Sequence, residues 1–200
     1  MREFDTETLA FYAGEAPDYA ARGPGGIGLH LDPFLEQLAP GASILELGCG
    51  SGRDAAHMQE LGFEVEPTDG VPEMAAQAEA RLGCPVRIMR FDELVAEEKY
   101  DGIVAAYSLL HVPREGLASV LTRIWRALKP GGLHAATYKT ASREGRDRLG
   151  RYYNYPSEAE LRAYYASAGT WSDIETFAGE GRGYEGGKSR FIMIMLRKAD

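Results

Sequence analysis

The chain has 200 residues, of which 44% are hydrophobic and 26% charged, as in an ordinary globular domain. Its formal net charge of −8 argues against nucleic acid as a partner, because an acidic surface repels phosphates. The apolar runs are too short to span a bilayer, and acids near the N-terminus argue against a signal peptide. The 2 cysteines have no metal or redox spacing, so we expect reduced thiols and a cytoplasmic protein without a membrane partner.

The first part of the chain is predicted to form a helical cap. Residues 5–22 are rich in Ala, Tyr and Phe, which favours one or two short helices, and the glycine cluster at 23–26 ends them. A further helix begins at Asp32, an N-cap residue followed by a first-turn proline. We therefore predict a single domain, with a cap at 1–40 and a core at 41–200.

Strands and helices alternate in the core. Alternating units of this kind form a parallel sheet with helices on both faces. The chain ends in two strands joined only by a glycine-rich loop, which makes that last pair antiparallel. The sequence thus predicts an α/β fold: a Rossmann-like, doubly wound, mostly parallel seven-stranded sheet with a reversed C-terminal strand, in three α/β/α layers. The predicted strands are 43–47, 63–67, 86–89, 101–107, 133–138, 171–177 and 190–196, and the predicted core helices are 53–61, 71–82, 113–128 and 157–168.

A glycine-rich turn follows the first core strand. Residues 46–52 read E-L-G-C-G-S-G, and the second strand leads to Asp69. A strand, a glycine turn, a helix, a strand and then an acid is the layout that places an adenosine-bearing cofactor at the edge of a parallel sheet. The glycine spacing is G-x-G-x-G and differs from the G-x-G-x-x-G of dinucleotide sites.

This motif resembles the first motif of the class I S-adenosylmethionine (SAM)-dependent methyltransferases, and a reversed last strand is typical of the same family. The resemblance covers nearly the whole chain. It implies SAM as the cofactor, S-adenosylhomocysteine as the product formed from it, and a turn that holds the methionine end of the cofactor. Free N–H groups and a positive dipole at the start of the next helix suit a carboxylate there. The residues assigned to this end are Glu46, Gly48, Gly50, Gly52 and Arg53.

The acid after the second strand, Asp69, is predicted to accept the ribose hydroxyls. Residues 68–74 read T-D-G-V-P-E-M, which resembles the family's D-x-S-P-x-M with Val71 in place of serine. The resemblance places Gly70 in the cofactor site and packs Met74 on the adenine. A plain turn aspartate is the alternative.

Further cofactor residues are assigned at the same edge of the sheet. Phe91 and Asp92 follow the third strand, where the family holds the adenine amino group. The usual Gly-Asp pair is absent, so Asp92 or its neighbour Glu93 is either a ligand or a solvated acid. The backbone of Ala106, after the fourth strand, is expected to line the sulfonium. Tyr12 is assigned to a lid over the cofactor, with a core or surface aromatic as the other interpretation.

Methyl transfer depends mainly on geometry, because a sulfonium already activates the methyl carbon. A base helps only if the acceptor arrives protonated, and then by roughly 10²–10⁴-fold in rate. His111 lies in L-L-H-V-P, which resembles the family's L-H-H stretch, and it is our candidate base. Tyr107 is the second candidate. The alternative for His111 is a packed or helix-capping histidine.

The acceptor is expected to be a small molecule held by loops at the carboxyl ends of the strands. Residues 139–155 carry five basic residues against two acids. They either bind an anionic acceptor through charge-assisted hydrogen bonds or form a solvated loop. The glycine-rich residues 179–187 are expected to form a flap at the rim. The 4 histidines share no ligand spacing, so we predict no metal.

Three other functions stay open at this point. An RNA methyltransferase of the same fold is compatible with R-Y-Y at 151–153, since arginine and aromatic side chains bind splayed bases, although the net charge disfavours it. An NAD-dependent oxidoreductase would use a similar sheet, but the glycine spacing and the last strand pair disfavour it. The third is a SAM-binding protein without transferase activity, which no feature of the sequence excludes.

Overall fold

A computed structural model describes residues 3–21, 31–141, 143–182, 184 and 187–200. The N-terminal segment forms one helix, α1 (Thr6–Ala21), with Pro17 inside it, and a short second helix, α2 (Leu31–Leu35). The glycine cluster predicted between them, at 23–26, lies outside the described residues, as does part of the predicted flap at 179–187. No helix within the described ranges is long and apolar enough to cross a membrane.

The rest of the described chain alternates strands and helices. The strands are β1 (Ser43–Leu47), β2 (Glu64–Asp69), β3 (Arg87–Ile88), β4 (Tyr100–Ala105), β5 (Leu128–Thr140), β6 (Gly145–Arg146), β7 (Tyr152–Tyr153), β8 (Trp171–Arg182) and β9 (Lys188–Lys198). The helices are α3 (Arg53–Glu60), α4 (Pro72–Leu82), α5 (Arg114–Ala127) and α6 (Glu158–Ala168).

Seven of these strands form one sheet, in the order β3-β2-β1-β4-β5-β9-β8. Neighbouring strands are parallel except around β9, which is antiparallel to both β5 and β8. The predicted fold class is therefore confirmed, including the reversed C-terminal strand. The carboxyl ends of β1, β2, β4 and β5 meet at one edge of the sheet, and the glycine turn lies at that edge.

The sheet separates two hydrophobic clusters. Leu45 and Leu47 of β1 belong to the cluster that includes buried residues of α5 and α6, whereas Ile44 packs on the other face with Phe34 of α2 and Met58 of α3. Successive residues of a strand point to opposite faces, so a strand covered on both sides is mainly apolar, and in β1 the buried Glu46 is the exception. β1 ends at Leu47, and the glycine turn follows directly.

The structure differs from the predicted elements most clearly around β5. This strand begins at Leu128, before Pro130, and not after the following glycines. The segment at 139–155, predicted as a loop, contains a two-stranded ribbon in which β6 pairs with β7, Gly145 with Tyr153. Strands of two residues are too short to show an alternation of apolar and polar side chains, so the pattern could not reveal them.

A buried polar chain lies inside the cluster under α6. Nδ1 of His134 is 2.8 Å from the carbonyl oxygen of Ile103, to which it donates, and Nε2 is 2.9 Å from the hydroxyl of Tyr165. The Tyr165 hydroxyl is in turn 3.2 Å from that of Tyr138. Burial lowers the pKa of His134 to about 4, while its bond to Ile103 opposes the shift.

We expect His134 to make the fold acid-sensitive. Its folded pKa of about 4 lies below the ordinary 6.5, so the unfolded chain takes up a proton that the folded chain refuses as the pH falls from 6.5 toward 4. A single histidine with this pKa shift lowers the free energy of unfolding by about 2 kcal/mol between pH 7.5 and 5. His134→Gln cannot titrate, so its urea unfolding should lose less stability over the same interval than the wild type. An equal loss in both proteins would contradict this role.

Candidate active site

The glycine turn after β1 is held by the end of β2. The N–H groups of Gly48 and Cys49 both donate to the carbonyl of Thr68, at 2.9 and 2.8 Å. The N–H of Gly50 donates to Oδ2 of Asp69 at 2.9 Å. The turn is therefore fixed in one shape relative to Asp69. All three of its glycines have the left-handed backbone that favours glycine, with φ of 76° at Gly48, 57° at Gly50 and 75° at Gly52.

Gly48 and Gly52 are also required by their neighbours. A Cβ on Gly48 would lie 2.5 Å from the Cβ of Ser108, closer than real Cβ contacts allow. A Cβ on Gly52 would lie 3.1 Å from the Cβ of Ala78 in α4. Ser108 is itself fixed, since its hydroxyl donates to the last carbonyl of β1 at 2.6 Å. The turn is thus packed between the end of β4 and α4, and Arg53 begins α3 directly after it.

Gly50 faces helix α1. A Cβ at this position would lie 3.6 Å from the ring of Tyr19 and 3.7 Å from the end of Met74. Met74 is 2% exposed and packs with Ala16, Tyr12 and Tyr19 of α1. Helix α1 therefore covers the turn, in the place of the predicted lid, and Met74 lies between the two.

Two buried carboxyl groups flank the turn. Asp69 accepts the N–H groups of Gly50 and Val71, each at 2.9 Å, and each oxygen keeps a lone pair for another donor. Burial raises the pKa of Asp69 to about 6, against the effect of these two bonds. Glu46 is 2% exposed, and its Oε2 has no hydrogen-bond partner among the described residues. Burial, and then the charges of Asp54 and Asp69, raise the Glu46 pKa.

The residues assigned to the adenine amino group follow β3. Phe91 begins a short 3-10 turn, and its ring lies beside the glycine turn. Asp92 forms an ion pair with Arg90 at 3.1 Å, so its carboxylate already has a partner. Gly70 is close to the same arginine, because a Cβ there would lie 3.3 Å from Cγ of Arg90. Ala106 follows β4 and is half-buried.

His111 lies in a chain of hydrogen bonds. Its Nδ1 is 2.6 Å from the carbonyl oxygen of Tyr152, so Nδ1 carries a proton and donates it. Its Nε2 is 3.0 Å from the hydroxyl of Tyr12. Burial lowers the pKa of His111 to about 4, the bond to Tyr152 opposes this, and the charges of Arg151 and Lys139 add to it. The imidazole is therefore neutral at pH 7, and its Nε2 accepts a hydrogen bond from the Tyr12 hydroxyl.

Arg151 extends the hydrogen bonds around His111, because it also contacts Tyr12 of α1. It is 3% exposed, pairs with Asp147 at 2.7 Å and donates to the hydroxyl of Tyr12 at 3.2 Å. Arg146 similarly pairs with Asp5 at 2.8 Å. Arg146 and Arg151, two of the arginines predicted to bind an anion, thus form ion pairs within the protein. The guanidinium carbon of Arg151 lies 5.0 to 5.8 Å from four ring centres, those of Phe11, Tyr12, Tyr153 and Tyr184.

Tyr107, the second candidate base, takes no part in the hydrogen bonds described for His111. Its φ of 54° is unusual for a residue with a side chain, and strained backbone of this kind is common at functional sites. The residue is 38% exposed, and its ring meets the ring of Phe191 edge-on at 6.2 Å. Burial raises the pKa of Tyr107 to about 12, so its hydroxyl stays protonated at pH 7.

No role was predicted from the sequence for the side chains of Ser108 and Asn154. Ser108 fills the space that Gly48 leaves open, and the side-chain amide of Asn154 donates to the carbonyls of Leu109 and Val112, at 2.9 and 3.1 Å. Both side chains bond to residues more than forty positions away along the chain. No local motif contains such pairs, so only the structure reveals them.

Gly48→Ala is expected to displace the turn and weaken binding of S-adenosylhomocysteine, the product that the resemblance implies. The new Cβ would collide with Ser108, and the turn relieves the collision by moving relative to Asp69. Isothermal calorimetry should show a loss of roughly tenfold or more in affinity, or about 1.4 kcal/mol.

Gly41→Ala is the matched control for this prediction. Gly41 has a φ of 74°, close to that of Gly48, but no atom of the described residues lies within 4 Å of a Cβ added there. We expect this variant to bind like the wild type. Equal affinities in the two variants would show that the close approach of Gly48 to Ser108 does not shape the site.

Comparisons with known proteins identify the family and the fold of this chain. The chain matches a family model described as a methyltransferase domain over residues 19–174. The ubiquinone biosynthesis O-methyltransferase of Xanthomonas campestris pv. campestris is 33% identical over 112 residues, which are 52% of this chain and 46% of that protein. The chain therefore spans about half the length of this curated relative.

Solved structures share the fold over nearly the whole chain. The 1,6-didemethyltoxoflavin-N1-methyltransferase of Burkholderia thailandensis, with bound 1,6-didemethyltoxoflavin and S-adenosylhomocysteine, has a TM-score of 0.76 and 22% identity, covering 97% of this chain and 88% of that one. The CcbJ methyltransferase of Streptomyces caelestis has a TM-score of 0.74 and 20% identity, covering 98% of this chain and 100% of that one. At these identities the likeness shows the fold.

The residues matched by the family model include the glycine turn, Asp69 and His111. The predicted methyltransferase family is confirmed, and the Burkholderia neighbour of the same fold holds S-adenosylhomocysteine. The chain belongs to the methyltransferase-domain family, on the fold of the class I SAM-dependent methyltransferases.

Proposed function

We propose that this protein transfers a methyl group from SAM to a small-molecule acceptor by in-line displacement. The observation that carries the proposal is that one helix covers both a cofactor turn and a neutral histidine. Tyr19 of α1 lies over Gly50, which is bonded to Asp69, and Tyr12 of the same helix bonds to His111. A proton acceptor under the same helix as the cofactor turn suits group transfer better than cofactor binding alone.

The residues around the turn fit SAM. The unpartnered Oε2 of Glu46 would accept from the ammonium group of the methionine end. The first N–H groups of α3 would hold the carboxylate, and the free lone pairs of Asp69 would accept the ribose hydroxyls. Met74 and Tyr19 supply apolar surface next to Gly50. When bound, SAM supplies a methyl carbon already activated by its sulfonium, so the protein need not protonate a leaving group.

His111 is the residue that we assign as the base. Its Nδ1–H is held by Tyr152, which leaves the lone pair on Nε2 to accept a proton. The Tyr12 hydroxyl fills this position in the structure, and an acceptor O–H or N–H would replace it there. Because burial makes His111 a weak base, the acceptor should be acidic, such as a phenol, an enol or a heterocyclic N–H.

The negative charge of the acceptor is proposed on electrostatic grounds. The charges of Arg151 and Lys139 both act on His111. The Lys139 ammonium lies 4.8 Å above the ring of Tyr153, whose centre is 4.6 Å from that of His111. An anionic acceptor at this place would be attracted by both cations and would raise the pKa of His111 toward neutrality.

A small acceptor has further support from the comparisons and from burial. The Burkholderia enzyme holds 1,6-didemethyltoxoflavin in its structure. RNA fits less well, because Arg151 and Tyr153, proposed to stack on bases, are 3% and 2% exposed. Cys49 and Cys84 are both free, which supports a reducing compartment, and we infer the cytoplasm.

A labelling screen tests the proposed function directly. The protein is incubated with methyl-labelled SAM and fractionated metabolite pools, and mass spectrometry locates the label. Label in a small acidic compound supports the proposal. Label found only in RNA or protein, or no turnover with any fraction, would overturn it.

His111→Gln is expected to slow transfer to the identified acceptor by roughly 10²–10⁴-fold, since the variant lacks a proton acceptor. Its affinity for S-adenosylhomocysteine should not change, because His111 is not assigned to the cofactor. Tyr107→Phe is the parallel variant, and we expect it to retain the wild-type kcat. Loss of rate in Tyr107→Phe and not in His111→Gln would move the base to Tyr107.

Lys139→Gln is expected to raise the acceptor KM roughly tenfold or more, the usual loss when a charge-assisted hydrogen bond is removed. The Kd of S-adenosylhomocysteine should stay the same. Arg126→Gln is the control, because it removes one positive charge from an exposed position on α5. Equal KM values in the two variants would exclude a specific role of Lys139 in binding an anion.

A further inference from the structure

The 3-10 turn that carries His111 is joined to the end of β7. This turn comprises Leu109–His111. The backbone N–H of Asn154 donates to the carbonyl of Leu110 at 2.9 Å. Two residues before Asn154, the carbonyl of Tyr152 accepts the Nδ1 proton of His111 at 2.6 Å. Backbone bonds thus hold the turn and the histidine ring from the same short segment.

The side chain of Asn154 holds both ends of the same turn. Asn154 is fully buried, and its Nδ2 donates to the carbonyl of Leu109 at 2.9 Å and to that of Val112 at 3.1 Å. Its Oδ1 has no hydrogen-bond partner in the part of the chain that the structure describes. An amide buried with its own acceptor unpaired costs free energy. The contribution of Asn154 to the fold is therefore the two hydrogen bonds that it donates to the turn.

We propose that Asn154 is a positioning residue for His111, whose amide fixes the turn so that Tyr152 holds Nδ1–H and leaves Nε2 as the acceptor. The inference rests on the proposed role of His111 as the base. Without the amide, the turn is free to move away from Tyr152, and the ring then carries its proton on either nitrogen. A ring protonated on Nε2 cannot accept a proton there, and a misplacement of about 1 Å can cost roughly 100-fold in rate.

The test reads the ring nitrogens of His111 as well as the rate. In ¹⁵N-histidine NMR spectra at pH 7, assigned with His111→Gln, wild-type His111 should be neutral with the proton on Nδ1. Asn154→Leu keeps a similar volume but has no donor. We expect it to show a mixture of tautomers and a kcat lowered roughly 100-fold, with unchanged affinity for S-adenosylhomocysteine. A spectrum and kcat like those of the wild type would overturn the proposal.

Tyr165→Phe is the matched control. It also removes buried hydrogen bonds, those to His134 and Tyr138, but none of them involves His111 or its turn. We expect it to leave the His111 signals and kcat unchanged, so changes equal to those in Asn154→Leu would mean general destabilisation and would overturn the proposal. If Asn154→Leu does not fold, Asn154→Ser replaces it, because a single hydroxyl proton cannot serve both carbonyls.

The two proposals fail in distinguishable ways. A tautomer mixture in Asn154→Leu with unchanged kcat would support the positioning role and overturn the assignment of His111 as the base. An unchanged tautomer with a kcat as low as that of His111→Gln would overturn the positioning role and leave the base assignment in place.

Discussion

The hydrogen bonds between the glycine turn and the end of β2 are the constraint on which the site depends. The Thr68 carbonyl accepts two N–H groups of the turn, and Asp69 accepts a third. Parallel neighbours in a sheet end at the same edge, so these bonds link two elements that the fold already brings together. The turn and Asp69, the two ends of the proposed cofactor pocket, therefore cannot move independently.

Helix α1 is attached to this edge by polar contacts as well as by the apolar cluster around Met74. Arg146 pairs with Asp5, the N–H of Tyr152 donates to the Thr8 hydroxyl at 2.8 Å, and Arg151 donates to Tyr12. Exposed ion pairs contribute little individually, whereas the buried Arg151 is costly to leave without partners. These contacts account for two of the arginines at 139–155, because Arg146 and Arg151 both bind the N-terminal segment.

The sequence predicts the parts of this molecule that depend on short-range pattern. The strand at 43–47 and the turn with Gly48 were found because apolar runs and glycine spacing are local signals. The ribbon at 139–155 was missed because its strands are too short for such a pattern. The pairing of His111 with Tyr12, and of Asn154 with the His111 turn, joins segments far apart in the chain, and only the folded sheet brings them together.

The bond between Tyr12 and His111 also bears on turnover. An acceptor that brings its own proton to Nε2 replaces the bond it breaks, whereas a compound without that proton leaves the nitrogen unpaired. In the proposed reaction the imidazole takes the acceptor's proton and then gives it up to water, because the pKa of His111 is about 4. The methylated product has no proton to offer the neutral Nε2 that results. In the proposed reaction, Tyr12 would therefore compete with the product for the imidazole, and the helix that covers the site would also favour the product's departure.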